Sequence, residues 1–398
     1  MELPKLRPLE AFPLERGGRQ MVALRDPWGV ASEVVLSDEA FFLASMLDGT
    51  NTFRDIQVAY MRRFGGILLR ERLQELIDDL DRHFLLETPR FEQRLRDLKD
   101  EWERSPVREA AFAGQAYPAD PAELRRYLEG FLHAAEQTVE GVSGIVAPHI
   151  DFERGGPCYG HAYAPLKDAP TPPLVVILGT CHLPLRTPFA VTDKDFRTPL
   201  GIVQTDRQAI EDMRERLPYD PMEESFLHRR EHTIEFQILF LQMLWGEDIK
   251  VLPVLCRSFE SYIREGLSPR DDPAFETSIM ALRGSLEGRN VLIVASADLA
   301  HIGPQFGDPF RVGEGDLLQM GGRDREMLHY VERGDAEGFF AYVRAEGDRR
   351  RICGLPPIYT LLRLLDPAEG KLPDYRQWRH PQGLGAVTFA SLVLCTKR

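Results

Sequence analysis

The feature that most restricts this fold is an alternation, over residues 106–398, of short apolar runs with amphipathic stretches. The runs GIVAP, LVVILG, IKVLPVL, NVLIVAS and AVTFASLVL are continuous rather than alternating, as strands buried on both faces are. Between them lie helical segments: PAELRRYLEGFLHAAEQ, RQAIEDMRERL, EHTIEFQILFLQMLW, DREMLHYVERGDAEGFFAYVRAEG and PIYTLLRLL. The alternation predicts an α/β fold with helices on both faces of a sheet.

A chain of 398 residues is long for one domain, and residues 1–105 read differently. VALRDPWGVASEVVLS holds short β-type runs around a Pro-Trp-Gly turn. Asp38 is placed to N-cap EAFFLASMLDG, and TFRDIQVAYMRRFGG forms a second helix closed by Gly65 and Gly66. Leu73, Leu76, Ile77 and Leu80 repeat at helical spacing in a third. The order suggests a small winged-helix-like α+β domain. The charged RFEQRLRDLKDEWERSPVRE reads as an exposed helix entering a linker near Pro106.

Three of the predicted strands run directly into a histidine or an acid. GIVAP reaches His149 and Asp151, LVVILG reaches His182, and NVLIVAS reaches Asp298 and His301. Ligands gather at the carboxyl ends of strands in open α/β sheets, so parallel neighbours would bring these side chains into one crevice. Imidazole is the commonest metal ligand, and the set suits zinc, copper or non-haem iron once a thiolate or carboxylate joins it. Asp298 and His301 share a surface if their loop starts a helical turn, and one could then orient or deprotonate the other.

A second cluster, His228-Arg-Arg-Glu231-His232, spells HxxEH, with Glu235 one turn on. On one helix the two histidines would share a face and Glu231 would be the base of a zinc hydrolase. The competing reading is a solvated helix start, with the acids favoured at its N-terminus by the dipole.

Five cysteines, widely spaced and without a CxxC pair, fit a reducing cytoplasm. Cys181 is either a small strand-end residue or an extra soft ligand beside His182. Cys353, in RRRICGLPPIYTLL, reads on its own as a core thiol. The net charge of −13 opposes general affinity for nucleic acid or anionic membrane. No apolar run reaches the ~20 residues that span a bilayer, and the N-terminus lacks the apolar core of a secretory signal.

Across residues 106–398 the order of segments resembles the MEMO family. The match runs through AGQAYPADPAELRRYLEGFL, GIVAPHIDFERGGPCYGHAY, VVILGTCHLPL, DFRTPLGIVQTD, EHTIEFQILFLQML, ASADLAHIG and ICGLPPIYTLL. The resemblance implies a fold related to class III extradiol dioxygenases, which use non-haem iron. It implies metal ligation by His149, His182 and Cys353, with Asp298 and His301 as catalytic neighbours. His232 and Glu235 would line the pocket, with Asp151 as this chain's own addition to it, and the pocket would take a small-molecule ligand. The metal would be divalent or redox-active, iron or copper ahead of zinc, and the protein a redox enzyme or accessory. Ile150-Asp151-Phe152 and Gly179-Thr180-Cys181-His182 depart from the family's usual residues, so Asp151 and Cys181 could add ligands or replace solvent.

Residues 1–105 are similar to PqqD-like domains, which bind leader peptides or dock onto radical-SAM enzymes. Bacterial MEMO-like proteins are also known as component B of the AmmeMemoRadiSam system. Together these imply a radical-SAM enzyme or a peptide as partner, or a non-catalytic adaptor in which the front domain does the binding.

Overall fold

The computed structural model describes residues 3–133 and 139–396, so the end of the helical segment drawn through Gln137 lies outside the described residues. The chain forms two compact units, Met1–Ser105 and Pro106–Arg398.

The first unit opens with an antiparallel sheet, β1 (Glu10–Arg16), β2 (Arg19–Arg25) and β3 (Val34–Ser37), in that order. Gly17 and Gly18, at φ 60° and 72°, make the two-residue loop of the first hairpin. Left-handed residues there match the strand twist, and glycine adopts them without a Cβ clash. The Pro-Trp-Gly turn is built on buried Asp26, which accepts the N–H groups of Trp28, Val30 and Ala31 and pairs with Arg7 at 2.9 Å.

Four helices follow: α1 (Asp38–Ser45), α2 (Phe53–Phe64), α3 (Arg70–Arg82) and α4 (Pro89–Arg104). The N-cap of α1 is Ser37 rather than Asp38, which takes the first helical position. Thr52 and Asp55 close a reciprocal capping box on α2, and Gly65 ends it at φ 73°. The charged helix α4 is not wholly exposed: Leu98 and Trp102, four apart, are buried. Leu43, Leu47, Ile56, Leu73, Leu80 and Leu86 form this unit's own core.

The second unit runs β4 (Val107–Arg108), α5 (Pro121–Leu132), β5 (Val142–Ala147), α6 (Phe152–Tyr163), β6 (Leu174–Thr180), β7 (Phe189–Val191), β8 (Asp195–Thr198) and β9 (Gly201–Thr205). It continues with α7 (Arg207–Arg214), α8 (His232–Trp245), β10 (Lys250–Cys256), α9 (Glu260–Glu265), α10 (Pro273–Ser285), β11 (Val291–Ser296) and β12 (Asp298–Ile302). The last elements are α11 (Glu314–Glu332), α12 (Ala336–Ala345), α13 (Leu355–Leu365), β13 (Ala368–Arg379) and β14 (Ala386–Thr396).

Among the described residues the sheet has eleven strands, in the order β12-β14-β5-β11-β6-β10-β9-β8-β4, with β13 on β14 and β7 on β10. Strands β5, β11, β6, β10 and β9 are parallel, and helices flank the sheet. The five apolar runs are β5, β6, β10, β11 and β14, and the first four belong to the parallel block. The segment DREMLHYVERGDAEGFFAYVRAEG is two helices rather than one. Gly334 turns the chain between them at φ 70°, where a Cβ would meet the Ala368 carbonyl at 2.4 Å.

Register decides the site. Ser296 at the end of β11 pairs with Ala147 of β5 on one side and Gly179 of β6 on the other. The three strands therefore finish level, and the residues just beyond them open onto the same end of the sheet.

Candidate metal centre

His149 follows β5 by two residues and is 3% exposed. Its backbone N–H donates to Asp298 Oδ1 at 2.9 Å, and its Nδ1 lies 3.2 Å from the Ser296 carbonyl. A carbonyl only accepts, so Nδ1 carries the proton and Nε2 keeps the lone pair. Burial, with the nearby imidazoles of His182 and His232, holds His149 well below the usual histidine range. It is neutral at pH 7.

His182 follows β6 and is largely solvent-facing, whereas His232 opens α8. Their rings stack at 4.9 Å, and each stands edge-on to His149, at 5.2 and 5.4 Å. Behind them is Glu231, the buried N-cap of α8. Its carboxylate lies 3.1 Å from His182 Nδ1 and 3.2 Å from His232 Nδ1, and it accepts the N–H groups of His182 and Thr233. Burial would raise the Glu231 carboxyl, but the two imidazoles more than offset this and hold it well below the ordinary range. One ligand atom from each of His149, His182 and His232 lies within 4.8 Å of the others.

Cys353 sits in the turn before α13, and its Sγ is 3.3 Å from His149 Nε2. Burial and the nearby Asp298 raise its thiol well above the usual cysteine range, so without a cation it is protonated and donates to that nitrogen. Gly354 lets this turn approach β12, since a Cβ there would lie 2.3 Å from the Asp298 carbonyl. Asp298 Oδ2 is also near, 3.6 Å from His149 Nε2, and burial raises this carboxyl.

Asp298 and His301 are on a strand, not a helical turn. Three residues of β12 span two of β14, Asp298 opposite Phe389 and His301 opposite Val387. That bulge restores the pleat, so two residues three apart share a face. The Nδ1 of His301 faces the carbonyls of Leu299 and Arg351 at 3.0 and 3.1 Å, and burial lowers its affinity for a second proton.

Other expected residues have partners of their own. His228 lies on a 3-10 turn (Ser225–Arg230) that ends before α8, so it shares no helix face with His232. It is buried, its Nε2 donates to the Ala190 carbonyl at 3.1 Å, and the HxxEH zinc platform is not formed. Glu235 does not line the pocket. It is fully buried and ion-paired with Arg108, and it also accepts Tyr117 O–H and the N–H groups of Ala111 and Phe112. Asp151 is the N-cap of α6 and is paired with Arg154. The Cys181 thiol donates to the Leu183 carbonyl at 3.3 Å, and burial pushes it up to about 12.

The residues that sequence reasoning missed are polar ones inside apolar runs. Gln237, buried in α8, donates to the Pro148 carbonyl and to Ser296 Oγ, and accepts from Tyr163. Thr180 Oγ1 donates to the Cys353 carbonyl at 2.9 Å, and Thr233 Oγ1 to the Thr180 carbonyl. A glutamine in the middle of TIEFQILF was the available signal, because a buried amide needs partners.

These features define an α/β protein whose parallel strands and one helix start bring three histidines together, close enough to hold a metal ion. Residues 108–393 match the family described as Memo-like protein. A MEMO1 family protein of Aquifex aeolicus is 30% identical over 393 residues, covering 98% of this chain and 99% of its own. One from Thermus thermophilus is 28% identical over 346 residues, 86% of this chain and 99% of its own. One from Methanopyrus kandleri is 31% identical over 287 residues, 69% and 91% respectively. The chain belongs to the Memo family, and its alignment with the Aquifex relative takes in most of the first unit as well. No helix among the described residues is long and apolar enough to cross a membrane.

Proposed function

We propose that this protein is a metal-binding redox enzyme or accessory, its ion held by His149, His182 and Cys353, with His232 as a further ligand. The observation that carries this is the direction of the hydrogen bonds. The Nδ1 atoms of His149, His182 and His232 all face acceptors, so three Nε2 lone pairs remain for a cation. The donor set fits: imidazoles with one soft sulfur suit iron or copper, and zinc as well. Such an ion, when bound, would supply Lewis acidity or one-electron chemistry.

This chain's own residues supply the rest. Cys353 gives up its proton on ligation, which couples binding to pH. His301, its Nδ1–H held by two carbonyls, offers Nε2 as an acid/base group, with Asp298 tuning it through charge. A dioxygenase-like reaction on a small molecule follows from the resemblance to extradiol enzymes.

Protein purified without chelator or nickel affinity should hold about one metal per chain by elemental analysis. His149→Ala and Cys353→Ala should each lose it. Unchanged metal content in both variants would overturn the reading.

A second reading rests on the first unit. Val58, Met61 and Phe64 of α2, with Ile67 and Leu69 after it, are exposed apolar residues close together in sequence. They favour a PqqD-like role, in which this unit captures a peptide or a radical-SAM partner of the AmmeMemoRadiSam type. In its adaptor form the second unit would bind its ligand without turnover.

A further inference from the structure

Glu231 stands behind two candidate ligands at once, and neither the HxxEH pattern nor the family resemblance gave it that place. We infer that Glu231 is a positioning residue whose single carboxylate fixes the tautomer of both His182 and His232, turning both Nε2 lone pairs toward one point. This rests on the metal-binding reading and adds to it the device that makes two of its imidazoles competent.

A neutral imidazole has one N–H and one lone pair, and the partner of one nitrogen decides what the other offers. An ionised carboxylate only accepts. Around Glu231 Oε1 are His232 Nδ1 at 3.2 Å, His182 Nδ1 at 3.1 Å and the Thr233 N–H at 3.2 Å. Around Oε2 are the His182 N–H at 3.0 Å and His182 Nδ1 at 3.2 Å. Every neighbour must donate, so both rings take the Nδ1–H form. The backbone is fixed too, since Arg108 Nη2 donates to the Glu231 carbonyl at 3.0 Å. Arg108 forms its ion pair with the Glu235 carboxylate and donates to the carbonyls of Glu109, His228 and Glu231, so the histidines are the partners of the Glu231 carboxylate.

An amide in the same place cannot do this. If the Glu231→Gln NH2 takes the Oε2 position, it opposes the His182 N–H and turns His182 Nδ1 into an acceptor. If it takes the Oε1 position, it opposes the Thr233 N–H and does the same to His232. Either way one ring moves its proton to Nε2 and leaves the ligand set.

Two measurements test this. In metal-free wild-type protein with 15N-labelled histidine, long-range proton–nitrogen NMR should show His182 and His232 as Nδ1–H tautomers. Either ring protonated at Nε2 instead would overturn the inference, whatever the variant does. In Cu(II) titrations Glu231→Gln should bind about 10–100-fold more weakly, the usual loss when a ligand's outer partner is removed. Its electron paramagnetic resonance spectrum should show one coupled nitrogen fewer than wild type. An affinity within twofold of wild type with unchanged nitrogen coupling would also overturn it. Wild-type protein that binds no Cu(II), Fe(II) or Zn(II) would instead bring down the metal reading and this inference with it.

Discussion

His228 shows how a residue can fit a motif and serve another purpose. Its Nε2–H is fixed on the Ala190 carbonyl, and its buried Nδ1 has no hydrogen-bond partner among the described residues. Burial therefore lowers its proton affinity to about 4. The unfolded chain, with histidine near 6.5, takes up the proton first as the pH falls. The contribution to stability is complete above about pH 6.5 and declines between about 6.5 and 4, by up to about 3 kcal/mol. Urea unfolding of metal-free protein across that window should show a shallower acid dependence in His228→Gln, which keeps a donor for Ala190. An identical slope would refute the account. At this scale the sequence was a partial guide. His149, His182 and Asp298 were legible because each follows an apolar run. The parts of Glu231 and Glu235 were not, since spacing along one helix cannot say which acid faces a ring and which faces Arg108.

At the scale of elements, α8 is placed against β6 by the absence of a side chain. A Cβ on Gly179 would lie 2.5 Å from Thr233 Oγ1 and 2.8 Å from Ile234 Cδ1. Gly179→Ala should push the start of α8, with Glu231 and His232, off the strand. Overpacking of this kind costs about 1–3 kcal/mol, and calorimetric metal binding should weaken in the same variant. A destabilised protein with undiminished affinity would show that the triad tolerates movement of α8. The parallel strands were readable because burial on both faces leaves no alternation to confuse with a helix. Strand β13 was not, because a Gly, a Pro and an exposed edge pattern hide it. The β12 bulge was invisible as well: register belongs to the partner strand, and β14 lies more than eighty residues further on.

At the scale of the molecule, each unit holds its own core, so each should fold without the other. This makes the adaptor reading testable with residues 1–105 as bait beside the whole chain. The bait should retain any partner that the whole protein retains. A partner held only by the full chain would count against it. The boundary itself was visible in sequence as the change from helical patterning to strand–helix alternation near Pro106. The identity of the first unit was not, because capped helices and a glycine hairpin are common to many small folds.

Arg108 has a consequence at this same boundary, and it is mechanical. Two residues into the second unit, one side chain grips Glu235 and the carbonyls of His228 and Glu231. A pull on the chain from residue 105 therefore loads β4, which is held to β8, and through Arg108 the start of α8. In a force measurement with one handle before Pro106, the rupture that frees β4 and the collapse of the histidine cluster would be a single event. The start of the second unit and its histidine cluster share one rivet.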